Sequence, residues 1–132
     1  MLVTRLGEAY LLAGRVPDAA EAARNALQLS RDHRERAREA YALRLLGEIA
    51  SRGDSPDVGN AEAFYLEAAA LSDELGMRPL LALCRLGLAA LHSRSGQRAA
   101  AEQHLAAAIG AFRALDMPFW LEPAEAALRS LR

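Results

Sequence analysis

Apolar residues recur at three- and four-residue intervals along this chain, interrupted roughly every twenty positions by glycine, proline or a short acidic turn. Such spacing places one buried face on each of a series of helices. Residues 2–13 predict a first helix ended by Gly14, and Pro17 suits the first turn of a second that runs to about Leu29. Asp32 with Glu35 three residues on resembles a capping box opening a third helix that ends near Gly53. The stretch GDSPDVGN, residues 53–60, predicts a loop. A fourth helix follows over about 58–75, closed by Gly76, and Pro79 opens a fifth that stops at Ser95 and Gly96. The sixth covers about 97–115. Asp116, Met117 and Pro118 break it before a last helix over 119–131. No segment alternates with period two for long enough to form a strand, so the fold class is all-α, with about seven helices.

The helices come in repeating pairs. LGEAYLLAGRVPDAAEAARNAL is echoed by LGEIASRG and NAEAFYLEAAAL, and again by LAALHSRSGQRAAAEQHLAAAI. Leu6, Leu46 and Leu88 head the first helix of each unit, spaced 40 and then 42 residues; Ala19, Ala61 and Ala101 sit in the second, spaced 42 and then 40. A period near forty with two amphipathic helices per unit predicts an array in which each unit buries its apolar face against its neighbours. Leu6 and Tyr10, Leu46 and Ala50, and Leu88 and His92 each fall four apart on one face. In the second helices Ala19, Ala23 and Ala26 match Ala61, Tyr65 and Ala68, then Ala101, Leu105 and Ala108. Small residues there allow axes to approach toward the short end of the roughly 8–10 Å range. The domain is a single one over 1–132, with repeats at about 1–30, 31–76 and 77–115 and a closing helix at 117–131.

Composition changes this picture little, but it removes several functions. With 132 residues, 52% hydrophobic, 25% charged and a formal net charge of −1, the chain reads as one ordered domain rather than a disordered one. A near-neutral chain lacks the electrostatic term that drives nucleic-acid binding, and 5% aromatic content supplies little for base stacking. No nucleic-acid partner is expected. No run approaches the roughly twenty apolar residues of a membrane span, and the first residues lack the basic region followed by an apolar run that a signal peptide would show. Cys84 is the sole cysteine, which fits a reducing compartment, and a cytoplasmic location is expected. All 16 basic residues are arginine. Without lysine there is no phosphate-loop lysine, Schiff-base amine or lysine general base.

The residues also carry a family resemblance. Leu6, Gly7, Tyr10, Gly14, Ala19 and Ala26 resemble one tetratricopeptide repeat; Leu46, Gly47, Ala61, Tyr65 and Ala68 resemble a second, with two extra residues in its turn. The third unit has Ala89 for the usual glycine and His92 for the aromatic. The second half, from Ala42 to Gln97 and then ALDMPFWLEPAEAAL, is similar to the C-terminal long-repeat arrays of bacterial multidomain signalling proteins. In those, such arrays follow an ATPase module, sometimes joined to a nucleotide cyclase or a DNA-binding transcriptional regulator. The resemblance implies a tetratricopeptide-like α-solenoid of about three helix-turn-helix repeats plus a C-terminal capping helix.

Candidate chemistry is sparse. His33, His92 and His104 have no histidine or cysteine partner three or four residues away, so packed or surface histidines are expected and a zinc site is not. Cys84, beside Leu83 on an apolar helix, reads as a small core residue. In the run RDHRERARE, residues 31–39, four arginines alternate with three acids. Arg31 with Glu35 and Asp32 with Arg36 form i,i+4 pairs, which predicts a solvated face. Glu122 and Glu125 near Trp120 lack a nucleophile or glycine-rich loop beside them, so no enzyme and no cofactor are expected. Phe119 and Trp120 should staple the last helix over the third unit, shielding Ala108, Phe112 and Leu115.

What remains is the surface that stacking creates. By resemblance, first helices line a concave groove, whose non-core positions here are Thr4, Glu8 and Leu12, then Tyr41, Arg44, Glu48 and Arg52, then Leu83, Leu86 and Arg94. Some chaperone-binding repeats hold a peptide carboxylate with asparagine and lysine; here Glu8, Glu48 and Ala90 stand at the asparagine positions and lysine is absent, which argues against that mode. Arg44, Arg52 and Arg94 could still fork acidic side chains; a plainly solvated face is the competing reading. The first expectation is a non-catalytic module binding a protein or peptide partner. The second is a sensor or oligomerisation domain regulating an attached or associated ATPase, cyclase or transcription factor. Leu2, Val3, Leu6 and Leu11 would lie at an uncovered edge, as in a fragment or a partnered short chain, so a homo-oligomer through the N-terminal edge is also expected.

Overall fold

A computed structural model describes residues 14–52 and 57–132, and every regular element among them is an α-helix. In order these are α1 (Val16–Asp32), α2 (Arg36–Ala50), α3 (Val58–Glu74), α4 (Arg78–Arg94), α5 (Arg98–Ala114) and α6 (Pro118–Leu131). The all-α expectation holds for the described residues. The expected helix over 2–13 lies outside them, as do residues 53–56 of the expected loop, whose residues 58–60 open α3. No helix among the described residues is long and apolar enough to cross a membrane.

Four of the turns are built alike. The residue after the C-cap is left-handed, at Arg34, Gly76, Gly96 and Asp116. The next N–H then reaches back over the turn: Glu35 to Ser30 O at 2.8 Å, Met77 to Ser72 O at 2.8 Å, Gln97 to His92 O at 2.9 Å and Met117 to Phe112 O at 2.9 Å. This is the Schellman closure, which satisfies carbonyls that the helix end leaves without a donor. The same reaching residue is the N-cap of the next helix, so one residue ends one rod and starts another. Pro17, Pro79 and Pro118 occupy the first two positions of α1, α4 and α6, where a missing N–H costs nothing.

The expected capping box at Asp32 is not formed. Asp32 is the last residue of α1, where it accepts from Gln28 Nε2 at 2.9 Å, and Glu35 caps α2 without a side-chain bond. The closure at Arg34 ends α1 first, so Asp32 and Glu35 fall on opposite sides of a turn.

Each helix packs on the one before it and the one after it, and α2 also contacts α4. The second-helix positions read from the sequence form the centre of this packing. Ala19, Ala23, Ala26, Ala61, Tyr65, Ala68, Ala101, Leu105 and Ala108 are all buried. The apolar interior runs through three clusters. Ala19, Ala23, Leu45, Leu46 and Ile49 join α1 to α2; Leu43, Ala68, Leu71, Leu80 and Cys84 join α2, α3 and α4. Ala82, Ala89, Leu105, Phe112 and Ala124 join α4, α5 and α6. Small and large residues alternate: Ala19 and Ala23 of α1 share a cluster with Leu45, Leu46 and Ile49 of α2, and Tyr65 of α3 meets two glycines.

Candidate functional site

Of the groove residues expected from the sequence, Glu8 and Leu12 lie outside the described residues, as does Thr4. The others divide. Tyr41, Arg44 and Glu48 follow one another at helical spacing on α2. Arg44 Nη2 donates to Glu48 Oε1 at 2.7 Å, both side chains partly buried. Arg44 Nε is buried with no hydrogen-bond partner among the described residues. Arg94, at the end of α4, donates from Nη1 to the carbonyl of Ser51 at 3.0 Å, tying α4 to the C-terminal end of α2. Ser51 in turn donates from its hydroxyl to the Glu48 carbonyl at 2.8 Å. So two of the three arginines expected to fork a partner's carboxylate are already engaged within the chain. Arg52 is exposed, and Tyr41 is 37% exposed. Leu83 and Leu86 are half-buried against the α4–α5–α6 cluster.

Tyr65 of α3 sets the distance between α2 and α4. A Cβ placed on Gly87 would lie 2.5 Å from its Cε1 and Cζ, and one on Gly47 would lie 3.0 Å from its Cδ1. The ring therefore occupies space that only glycine leaves open on α4 and nearly so on α2. Burial, then the nearby Glu48 carboxylate, pushes the phenol up to about 12, while a hydrogen bond with Ser51 acts in the opposite sense. Burial likewise pushes the Cys84 thiol up to about 11, so it packs as a protonated core residue. The polar seam of Arg44, Glu48, Ser51, Tyr65 and Arg94 thus joins α2, α3 and α4. Compared with models of known families and with curated proteins, the chain matches none. The geometry alone carries the functional reading.

The histidines are not as isolated as their spacing suggested. His92 and His104 stack with ring centroids 5.4 Å apart and planes 8° from parallel. His92 Nδ1 meets Gln97 Oε1 at 2.5 Å, and its Nε2 lies 3.6 Å from Glu62. Burial, His92 and Arg85 all lower the His104 pKa, in that order of effect. Among the described residues no group of three His, Cys, Asp or Glu could hold a metal ion.

The arginine run is also rearranged. Because the turn at Arg34 splits it, the i,i+4 pairs read from the sequence do not form. Instead Arg31 pairs with Glu39 at 3.4 Å and with Glu67 at 3.1 Å, and Arg36 pairs with Glu74 of α3 at 2.7 Å. The Glu74 bond raises the Arg36 pKa and lowers that of Glu74, though both side chains are exposed, where such pairs contribute little. Glu125 is taken up by Arg113 at 3.2 Å. Trp120 does staple α6, its ring 6.4 Å from that of Phe112. Phe119 does not: it meets Trp120 edge-on at 5.4 Å and is 79% exposed. Residues 119 and 120 are adjacent and so point about 100° apart around a helix, which lets only one face the core.

Sequence reasoning missed Gly87 and Ser51. Gly87 carried a usable signal, because an interior helical glycine costs about 1 kcal/mol relative to alanine and calls for a packing reason. Ser51 carried none, since its role depends on where α4 ends.

Proposed function

We propose that this chain is a tetratricopeptide-like α-solenoid module that binds a protein or peptide partner and catalyses no reaction. The observation that carries the reading is the contact between α2 and α4, two helices separated by the whole of α3. In an array whose units stack on their neighbours, such first helices run side by side and offer one continuous face. The Arg94–Ser51 bond and the Tyr65 wedge favour a fixed separation between them. A preorganised face binds at lower entropic cost. Tyr41 and Arg52, exposed on and just beyond α2, are the residue types that anchor interfaces. Arg44, held by Glu48, shapes the seam and is a weaker anchor than its sequence position implied.

The test begins with the full chain as bait in its native cell, followed by calorimetry with the partner so identified. Tyr41→Ala and Arg52→Ala are each expected to weaken binding by about 1–2 kcal/mol. Unchanged affinity in both variants rejects the assignment of this face.

A second reading draws on Phe119. A large aromatic ring 79% exposed beside Trp120 suits contact with a further domain, as in a sensor or oligomerisation element of an ATPase, nucleotide cyclase or transcription factor. Loss of the captured partner on Phe119→Ser, with Tyr41→Ala silent, would favour it.

A further inference from the structure

The partner-binding reading leaves unused an opening between α4 and α5. Arg78, Leu81 and Arg85 recur at helical spacing along α4 and face Ala107 and Ala111 of α5, and Leu115 that caps it, across a cavity of about 300 Å³. That volume is at the lower end of the roughly 300–1,000 Å³ of small-molecule sites. The space exists because α5 presents alanine at successive turns, where a longer side chain would reach across to α4. Its lining is aliphatic apart from Arg78 and Arg85, which their seven-residue spacing sets on the same side of α4.

Several arginines of the chain are already engaged, and these two are not. Arg31, Arg36, Arg44 and Arg113 each hold a carboxylate, at 3.1, 2.7, 2.7 and 3.2 Å. Arg78 and Arg85 have no ion pair or side-chain hydrogen bond among the described residues. Arg85 is moreover half-buried, while Arg78 is exposed. A cation partly withdrawn from water without a counter-charge favours an anion supplied from outside. Leu80 and Cys84 of the same helix point instead into the α2–α3–α4 cluster, so the cavity lies on a different side of α4 from the seam.

We propose that this cavity binds a small amphiphilic carboxylate. Arg78 and Arg85 fork the carboxylate, as guanidinium groups do well, while the aliphatic body rests on Leu81, Ala107, Ala111 and Leu115. The site does not rest on the partner-binding reading, and either can fail alone.

Sodium octanoate is the probe, titrated into the full chain and followed by calorimetry and by amide chemical shifts of α4 and α5. Saturable one-to-one binding is expected, with affinity about tenfold lower in Arg85→Gln and in Arg78→Gln as a charge-assisted bond is lost. Octylamine, of equal length and opposite charge, should not bind. Ala107→Leu should abolish octanoate binding by filling the cavity; if that variant fails to fold, the two arginine variants decide. Failure of octanoate to saturate, equal binding of octylamine, or affinity retained in both arginine variants would each overturn the proposal.

Discussion

The junction of α2, α3 and α4 and the junction of α4, α5 and α6 use the same turns to different ends. Both are entered through a Schellman closure, at Arg34 and Gly76 in one and at Gly96 and Asp116 in the other. Their interiors diverge. The first adds to its apolar cluster a polar seam, in which Tyr65 sits against Gly47 and Gly87 while Arg94 bonds to Ser51. The second is apolar, with Phe112 fully buried and stacked with Trp120, and the buried polar side chains among the described residues, Ser30, Ser51 and Ser72, all lie outside α4, α5 and α6. Local turn chemistry sets the length and direction of each helix, and the choice of bulk at facing positions sets how two helices meet. Polar bonds then fix a particular separation at the first junction, whereas burial supplies the affinity at the second.

The largest effect should come from the apolar junction. Phe112→Ala is expected to cost about 3–5 kcal/mol in urea denaturation, because it removes a wholly buried ring and leaves a cavity. Phe119→Ser, one turn of chain away but 79% exposed, should stay within about 0.5 kcal/mol of the parent. Comparable losses in the two variants would mean that Phe119 packs as the sequence suggested.

At the polar junction the expected break is steric. Gly87→Ala places a methyl 2.5 Å from the Tyr65 ring, a contact that cannot persist without movement, and should cost about 1–3 kcal/mol. Gly47→Ala meets the same ring at 3.0 Å and should cost less, since alanine returns about 1 kcal/mol of helix propensity. In a double-mutant cycle Tyr65→Leu should relieve most of the Gly87→Ala penalty. Additive losses would show that the ring does not set the α2–α4 distance.

How far the sequence revealed this contrast depends on the kind of information involved. Periodicity places residues on faces, and all nine second-helix positions read that way are buried. Turns were visible where glycine marked them, at Gly76 and Gly96, and were misplaced near Arg34, where a residue of little turn preference takes the left-handed position. That single shift dissolved the capping box at Asp32 and redirected Arg31 and Arg36 to carboxylates on α3. Contacts between helices were harder still. His92 stacks on His104, and Arg94 reaches Ser51 across 43 positions, because helix ends happen to align in space. Gly87 was visible as a helical glycine, but the ring that requires it belongs to another helix.

The polar seam should also respond to alkali. The folded Tyr65 phenol is raised from 10.0 to about 12, so the folded state keeps a proton that the unfolded chain gives up. Its contribution to stability is therefore complete below about pH 10 and is lost as pH rises toward 12. Cys84, raised from 9.0 to about 11, adds a parallel loss that begins one unit lower. Denaturation midpoints measured from pH 9 upward should fall less steeply in Tyr65→Phe than in the parent. An identical slope would place the phenol in a more solvated setting than the seam describes.

The smallest effects test whether the shared turns are equal in cost. Arg34, at φ 55°, and Asp116, at φ 54°, hold the conformation that glycine takes at the matching turns. A left-handed non-glycine residue costs about 1–2 kcal/mol, and aspartate less because its short side chain can bond locally. Against this, glycine enlarges the entropy of the unfolded chain, which returns about 0.5–1 kcal/mol of the gain. Arg34→Gly should therefore stabilise by up to about 1 kcal/mol, and Asp116→Gly by only a few tenths. Arg34 introduces the polar junction and Asp116 the apolar one, so equal gains would mean that the two turns carry the same strain. A larger gain at Arg34 would instead locate stored backbone strain at the entrance to α2, the helix that bears Tyr41 and the Arg44–Glu48 pair.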